Sequence, residues 1–457
     1  MFKEDQSFDE ASEQKPQKSR ASKFRWTLII LIVYLALMKF RLYGVPREGG
    51  SDPIFIFRII TASQRGSFAE FGIIPIALAI IMLQFIVGLG ILKLDLSKTR
   101  GKKVYSILVK VISVILTILF AIFHITSGIY GEDLLLTIRV SIFFQLIFGG
   151  LFIIFMDEII RRGYGLGNGI SLFIIASVSY NIFDGMFGLT QDSYAGFDWY
   201  RGCILSFFLG ISRGNVAVPF NRPGRTPDFL SFLLLIIVMA IIIYLISIKV
   251  EIPVLNKKTE RHTRYSLRYL NSFYPPILFS ILSSSVIYSI SNIVFNNWRN
   301  ETTGFKHFMV RLFGSWETIP GTRQVYLISG LAALTTPPLG PEFITIHPGY
   351  IISFILYMTI MTGFFSISWM KTLSVDPIGI GKKILREDKM IPGFREDPRK
   401  IGKYLDPFGI TFAIIGGLFV GFLAGFFEFV GPLGTGIGLL ITASILREYY
   451  DILVKKK

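Results

Sequence analysis

Apolar residues run along this chain in blocks about as long as a helix needs to cross ~30 Å of hydrocarbon. Charged or turn-rich clusters separate the blocks. Ten can be laid out, near residues 25–43, 71–92, 104–127, 136–157, 168–187, 228–249, 272–295, 349–370, 408–427 and 430–451. The pattern predicts an all-α polytopic membrane protein with ten transmembrane helices. An even number of spans puts both chain ends on one side. Helix breakers open the second block (Gly72, Pro75) and the seventh (Pro275, Pro276). At membrane depth they are tolerated where the backbone lines a cavity or packs within protein.

Composition agrees. Of the 457 residues 52% are hydrophobic and only 17% charged, against roughly 25% charged in soluble domains. The net charge of +16 would suggest nucleic acid in a soluble protein, but here its distribution along the chain carries the information. Residues up to Arg25, the 93–103 loop, Arg161 and Arg162, the loops 249–268 and 371–403, and the end from Arg447 together hold 32 of the 47 basic residues. All lie on the side of the N-terminus, which the positive-inside bias makes cytoplasmic. Residues 1–23 read as a disordered tail without an apolar region of their own, hence with no cleavable signal peptide, and 452–457 as a basic tail. The loops 249–268 (with KKTERHTRYSLR) and 371–403 (with GKKILREDKMIPGFREDPRKIGK) are large for connectors. They are either topology determinants alone or a docking surface for something anionic such as an RNA backbone.

Candidate chemistry is sparse. A coupled transporter usually buries an ionisable group near mid-membrane. Here Asp157 and Glu158 fall at the end of the fourth block, Glu428 between the ninth and tenth, and Lys110 close enough to an end to snorkel. The histidines (His124, His262, His307, His347) show no paired ligand spacing, and Cys203 is the single cysteine, so an intrachain disulfide is excluded. The stretch RRGYGLGNGISLFII (161–175) could cradle phosphate or turn the chain at a membrane surface. It lacks the Lys-Ser/Thr of a phosphate loop, and GIGKK (379–383) lacks the remaining elements. No enzyme activity and no cofactor are expected. A secondary transporter of a small solute is the alternative, and it requires an intramembrane charge or polar pocket.

Several segments, in order, resemble the SecY/Sec61 α family of protein-conducting channels in its archaeal style. They are ITASQRGSFAEFGIIPIALAIIMLQFIVGLGILKLDLS (60–97), MDEIIRRGYGLGNGISLFI (156–174), VEIP (250–253), YPPIL (274–278), MIPGFRE (390–396) and GPLGTGIGLLITASI (431–445). The resemblance runs from about Lys23 to Asp451. It implies two pseudo-symmetric halves, 24–187 (spans one to five) and 228–451 (spans six to ten), around a central hourglass pore. The outer loops 188–227 and 297–347 share no placeable motif.

The family's site residues carry over by motif. An aliphatic pore ring would be Ile73, Ala77, Ile170, Ile174, Ile277 and Ile441. Ala77 is small where the family is branched, leaving Ile76 as alternative filler, and the doubled proline leaves Leu278 as alternative to Ile277. A plug at 54–66 would include Arg58, Ile59, Ile60, Thr61, Ala62 and Ser63. A lateral gate would set Gln84 of span two against Ser283, Ser284 and Ser285 of span seven. Lys257, Lys258, Arg261, Arg264, Lys389, Arg395, Arg399 and Lys400 would dock a ribosome or a cytoplasmic motor ATPase. The implied function is passage of unfolded polypeptide across the cell membrane and lateral release of apolar segments into the lipid bilayer. The implied partners are SecE/Sec61 γ-like and Sec β/SecG-like small subunits, signal sequences and nascent chains.

Overall fold

The computed structural model describes residues 19–45, 55–88, 91–92, 94, 99–126, 130, 134–194, 197–215, 217–220, 222, 226–248, 250–256, 262–267, 274–300, 303–318, 325–337, 348–372, 385, 389–390 and 397–454. The ten apolar blocks become ten helices. The first half holds α1 (Arg20–Lys39), α3 (Ile74–Gly88), α4 (Thr99–Thr126), α5 (Leu136–Arg161) and α6 (Gly169–Phe187). The second holds α9 (Phe229–Ser247), α10 (Tyr274–Trp298), α13 (Pro348–Thr372), α14 (Pro398–Val430) and α15 (Gly436–Val454). Short helices lie between them: α2 (Phe55–Ile60), α7 (Cys203–Ser212), α8 (Ala217–Phe220), α11 (Gly304–Phe313) and α12 (Leu331–Thr335).

Side-chain oxygens start several spans by accepting an otherwise unpaired backbone N–H. Ser19 takes that of Ser22 at 3.3 Å, Asn168 that of Ile170 at 3.3 Å and Asp228 that of Ser231 at 2.7 Å. Glu428, expected between the last two spans, lies inside α14. Its carboxylate accepts from Ile437 N at 3.2 Å, holding the first turn of α15. Lys110 does not merely snorkel: its ammonium meets Glu158 at 2.7 Å, tying α4 to α5.

The tightest pair is α13 with α14. Gly417, Gly421 and Gly425 recur every four residues on one face of α14 and lie against Ser366, Thr362 and Ile355 of α13. Small residues at that period let two backbones approach closely, the usual basis of helix association in lipid.

Three small antiparallel sheets add strands to the all-α membrane part. β1 (Gln191–Tyr194) pairs with β2 (Phe197–Tyr200), and β5 (Ser315–Thr318) with β6 (Val325–Ser329), in the loops 188–227 and 297–347 that carried no motif. The third joins β3 (Val250–Asn256), β4 (His262–Leu267) and β7 (Lys389–Met390), with Leu255 opposite Met390 and Asn256 opposite Lys389. The two basic loops are therefore one structure.

Candidate pore, plug and gate

The junction that delivers α6 turns at Gly163 (φ 90°) and Gly167 (φ 68°), left-handed conformations open to glycine at little cost. Thr27 of α1 accepts from Leu166 N at 2.9 Å, and Tyr449 Oη of α15 stands 3.2 Å from Leu166 O and 3.3 Å from Asn168 O. This gathers the start of α1, the junction and the end of α15 on one face. Behind the turn, Ile170 and Ile174 lie one helical turn apart and both are buried.

The remaining ring candidates are buried as well. Ile73 precedes α3 and donates its N–H to Thr61 O at 2.9 Å, and Ala77 follows one turn later. Pro275 and Pro276 occupy the first turn of α10, where a missing N–H costs little. Ile277 and Leu278 behind them are both buried, so burial does not choose between the two registers. All six ring candidates belong to one apolar cluster, which also contains Ile76 and Ile56, Phe57, Ile59 and Ile60 of α2.

Helix α2 packs against α6, α10 and α15, three of the helices that carry ring candidates. It is shorter than the plug segment expected from sequence: after Ile60 the chain turns through Thr61, Ala62 and Ser63, with Ala62 at φ 54°. Thr61 Oγ1 donates back to Phe57 O at 2.7 Å, and Tyr34 of α1 donates to Ala62 O at 2.7 Å. Gly72 (φ 49°) lets the chain fold under this turn, where any Cβ would collide with the carbonyls of Thr61 and Ala62. Phe57 meets Tyr288 of α10 with ring centroids 6.1 Å apart.

The sequence reading missed the group that holds Arg58. Glu70, 2% exposed, pairs with Arg58 at 2.9 Å and also accepts from Gly66 N. His124 of α4 stands 4.0 Å from the same carboxylate. Tyr130 packs near His124, and burial raises its phenol far above the ordinary range, keeping it neutral. A charged pair is thus buried at the plug with each partner beside its opposite, the arrangement that burial of charge requires.

At the expected gate α3 touches α10 and α13. The three serine hydroxyls find partners other than Gln84. Ser283 meets Tyr357 of α13 at 2.6 Å, Ser284 donates to Thr335 O of α12, and Ser285 donates to Leu282 O of its own helix at 3.0 Å. Three consecutive residues on a helix point in directions 100° apart, so they cannot share one face. Gln84 itself is buried. Phe85 makes the cross-seam contact, with ring centroids 6.2 Å from Phe364 and 6.1 Å from Phe365, and Phe279 of α10 meets Phe365 at 5.8 Å.

Of the docking candidates, Lys257, Lys258, Arg261 and Arg395 lie outside the described residues. Arg264 falls on β4 opposite Pro253, Lys389 on β7, and Arg399 and Lys400 in the first turn of α14, Lys400 being exposed. Cys203 is fully buried at the start of α7, and burial pushes its thiol up to about 11, so it is an unreactive packing residue.

Comparison with known proteins places the whole chain. The family model for SecY matches residues 67–450, and that for the plug domain of Sec61p matches residues 32–66. The protein translocase subunit SecY of Pyrococcus furiosus is 31% identical over 458 residues, covering 98% of this chain and 94% of its own. A solved structure described as a protein-conducting channel superposes with a TM-score of 0.77 at 25% identity, covering 96% of this chain and 94% of its own. Sec61 in the canine ribosome–channel complex shares the fold, with a TM-score of 0.73 at 24% identity and cover of 96% and 94%.

Proposed function

The chain belongs to the SecY/Sec61 α family, and from that premise we propose how its residues make the central pore-forming subunit of a multi-pass protein translocation channel. The channel passes unfolded polypeptide across the membrane and releases apolar segments sideways into lipid. The observation that carries the reading is the seating of α2 against α6, α10 and α15, among the buried ring candidates. With α2 in place, Ile73, Ala77, Ile170, Ile174, Ile277 and Ile441 close an apolar waist, and such a constriction blocks ions by excluding water. Residues 54–66 act as the plug, held on the first half by Tyr34 and Glu70. The solute-transporter alternative finds no support among these relatives.

The lateral gate is the meeting of α3 with α10 and α13. Its two Phe85 ring contacts are worth about 0.5–1.5 kcal/mol each. A transiting segment with ~10 residues of Leu, Ile, Phe or Val type gains about 3–6 kcal/mol on entering lipid. Partition of the segment therefore exceeds the cohesion of the ring contacts, and the seam opens for apolar sequences while staying shut for polar ones. The work of translocation comes from outside, so the chain itself has no catalytic role.

The bias of basic residues supports cytoplasmic termini in the cell membrane. The face bearing the β3–β4–β7 sheet then looks into the cytoplasm, and the docking positions for a ribosome or motor ATPase are Arg264 on β4, Lys389 on β7, and Arg399 and Lys400 at the start of α14. The assembly contains two small subunits of the SecE/Sec61 γ and Sec β/SecG kinds. A single cysteine at Ile174 (I174C in a C203A background) in the reconstituted channel tests the reading. It is expected to crosslink to a stalled translocating chain, and adducts at other positions with none at this one would overturn its place in the waist.

A further inference from the structure

The two halves hold the plug by different means. The ties to the first half are polar: Tyr34 donates to Ala62 O, Ile73 N donates to Thr61 O, and Glu70 pairs with Arg58. From the second half, Tyr288 of α10 lays its ring against Phe57 of α2, with centroids 6.1 Å apart and planes at 55°. Both rings are buried. Tyr288 lies eleven residues after Ile277, about 16 Å farther along the helix. The contact is therefore made well beyond the ring candidates.

A second ring backs Tyr288 from the β5–β6 hairpin. Trp316 of β5 meets it edge-on, with centroids 5.0 Å apart and planes at 79°, and Trp316 Nε1 donates to Ser291 Oγ at 3.0 Å. Tyr288 and Ser291 follow each other on one face of α10, so a single indole engages two successive turns. The hairpin backbone comes equally close, since a Cβ on Gly314 would collide with Ser291 Oγ. Its far side is fastened too. Tyr350, at the start of α13, donates to Ile328 O of β6, and Ser284 donates to Thr335 O in α12, which directly follows. Trp316 is thus a buried ring on a small sheet braced at both α10 and α13.

We propose that Trp316 is a positioning residue for the plug, holding the Tyr288 ring in the staggered well that meets Phe57, so that the β5–β6 hairpin helps keep the resting channel shut. This role rests on the channel reading and gives work to a loop that carried no motif. It also has a direction. When the halves part, hydrogen bonds and an ion pair keep the plug with the first half. The contact that breaks on the second half is a ring pair, which tolerates a range of tilts and strands no donor.

Ion leak of the full channel complex in planar bilayers tests this, with single and paired substitutions. Tyr288→Leu keeps apolar bulk without the ring and is expected to raise leak about two- to tenfold, the range one aromatic pair supports. Trp316→Leu should raise it in the same way and by no more, while Trp316→Phe, which keeps a ring edge for Tyr288, should restore most of the seal. Ser291→Ala frees the indole without opening a large cavity and should give a smaller rise, a milder variant to read if Trp316→Leu does not fold. In a Phe57→Leu background, already leaky, none of these should add to the leak, because coupled residues are non-additive. Leak unchanged in both Trp316→Leu and Ser291→Ala would overturn the proposal. So would a rise that persists undiminished beside Phe57→Leu, which would mean that Trp316 supports the fold and not the plug. Neither result bears on the I174C crosslink, so failure here is separable from failure of the channel reading.

Discussion

The two halves meet along two seams built from different chemistry. On one side α6 lies against α15, and Tyr449 Oη engages the carbonyls of Leu166 and Asn168. Beside it Tyr274 Oη meets Ser171 Oγ at 3.2 Å. On the other side Phe85 of α3 lies on Phe364 and Phe365 of α13. Hydrogen bonds weaken steeply with angle and distance, and a buried partner left alone costs about 1–3 kcal/mol. Ring contacts are satisfied over a range of centroid distances and tilts. The polar seam therefore holds the halves in register, and the ring contacts of the aromatic seam can part without stranding a donor. A hinge and a gate differ here in what parting them would leave unsatisfied.

Four substitutions press on that contrast. Glu70→Gln should have the largest effect, because it deprives buried Arg58 of its carboxylate, a loss of about 3–5 kcal/mol. The plug should loosen with both seams intact, raising ion conductance in planar bilayers; conductance equal to the unaltered channel would mean that the seams alone seat the plug. Phe85→Ala removes two ring contacts, about 1–3 kcal/mol together. Precursors with shortened apolar signals should then be exported in greater yield in a pulse-chase assay, and no gain would show that the gate is sealed by something else. Tyr449→Phe keeps the ring and removes hydrogen bonding worth about 1 kcal/mol. The purified complex should melt earlier while its choice of signals stays the same, whereas relaxed choice would make this seam a gate too. Ser283→Ala should do least, since its bond to Tyr357 lies within one half; a change of signal choice as large as that of Phe85→Ala would return the serines to the gate.

The ten helices were legible because each apolar block is long enough to leave one choice of element. Helix ends were less so. Gly72 shortens the second span through a turn that depends on where Thr61 and Ala62 lie, and Glu428 is still helical, with its carboxylate on the first turn of the next helix. Among the site candidates, the ring and plug residues were assigned by motif, and all six ring candidates are buried in the apolar cluster that includes α2. The three serines sit on the expected helix, with Ser283 bonded to Tyr357 and Ser284 to Thr335, because a run of three polar residues carries no direction. Phe85 has no distinguishing signal among so many phenylalanines. Glu70 was overlooked because it lies outside the spans, although its pairing with Arg58 twelve residues earlier is the strongest polar tie at the plug. The glycine period 417, 421, 425 was open to reading throughout.

The pairing of β3 with β7 has a mechanical consequence. The loop between α9 and α10 and the loop between α13 and α14 are stitched at Leu255–Met390 and Asn256–Lys389, so a push on either is borne by four spans at once. All four belong to the second half, and the close α13–α14 pair stiffens them further. A load applied to this handle would swing that half as a single lever about the tyrosine-bonded side, and the displacement would be greatest at the far edge, where the phenylalanines meet.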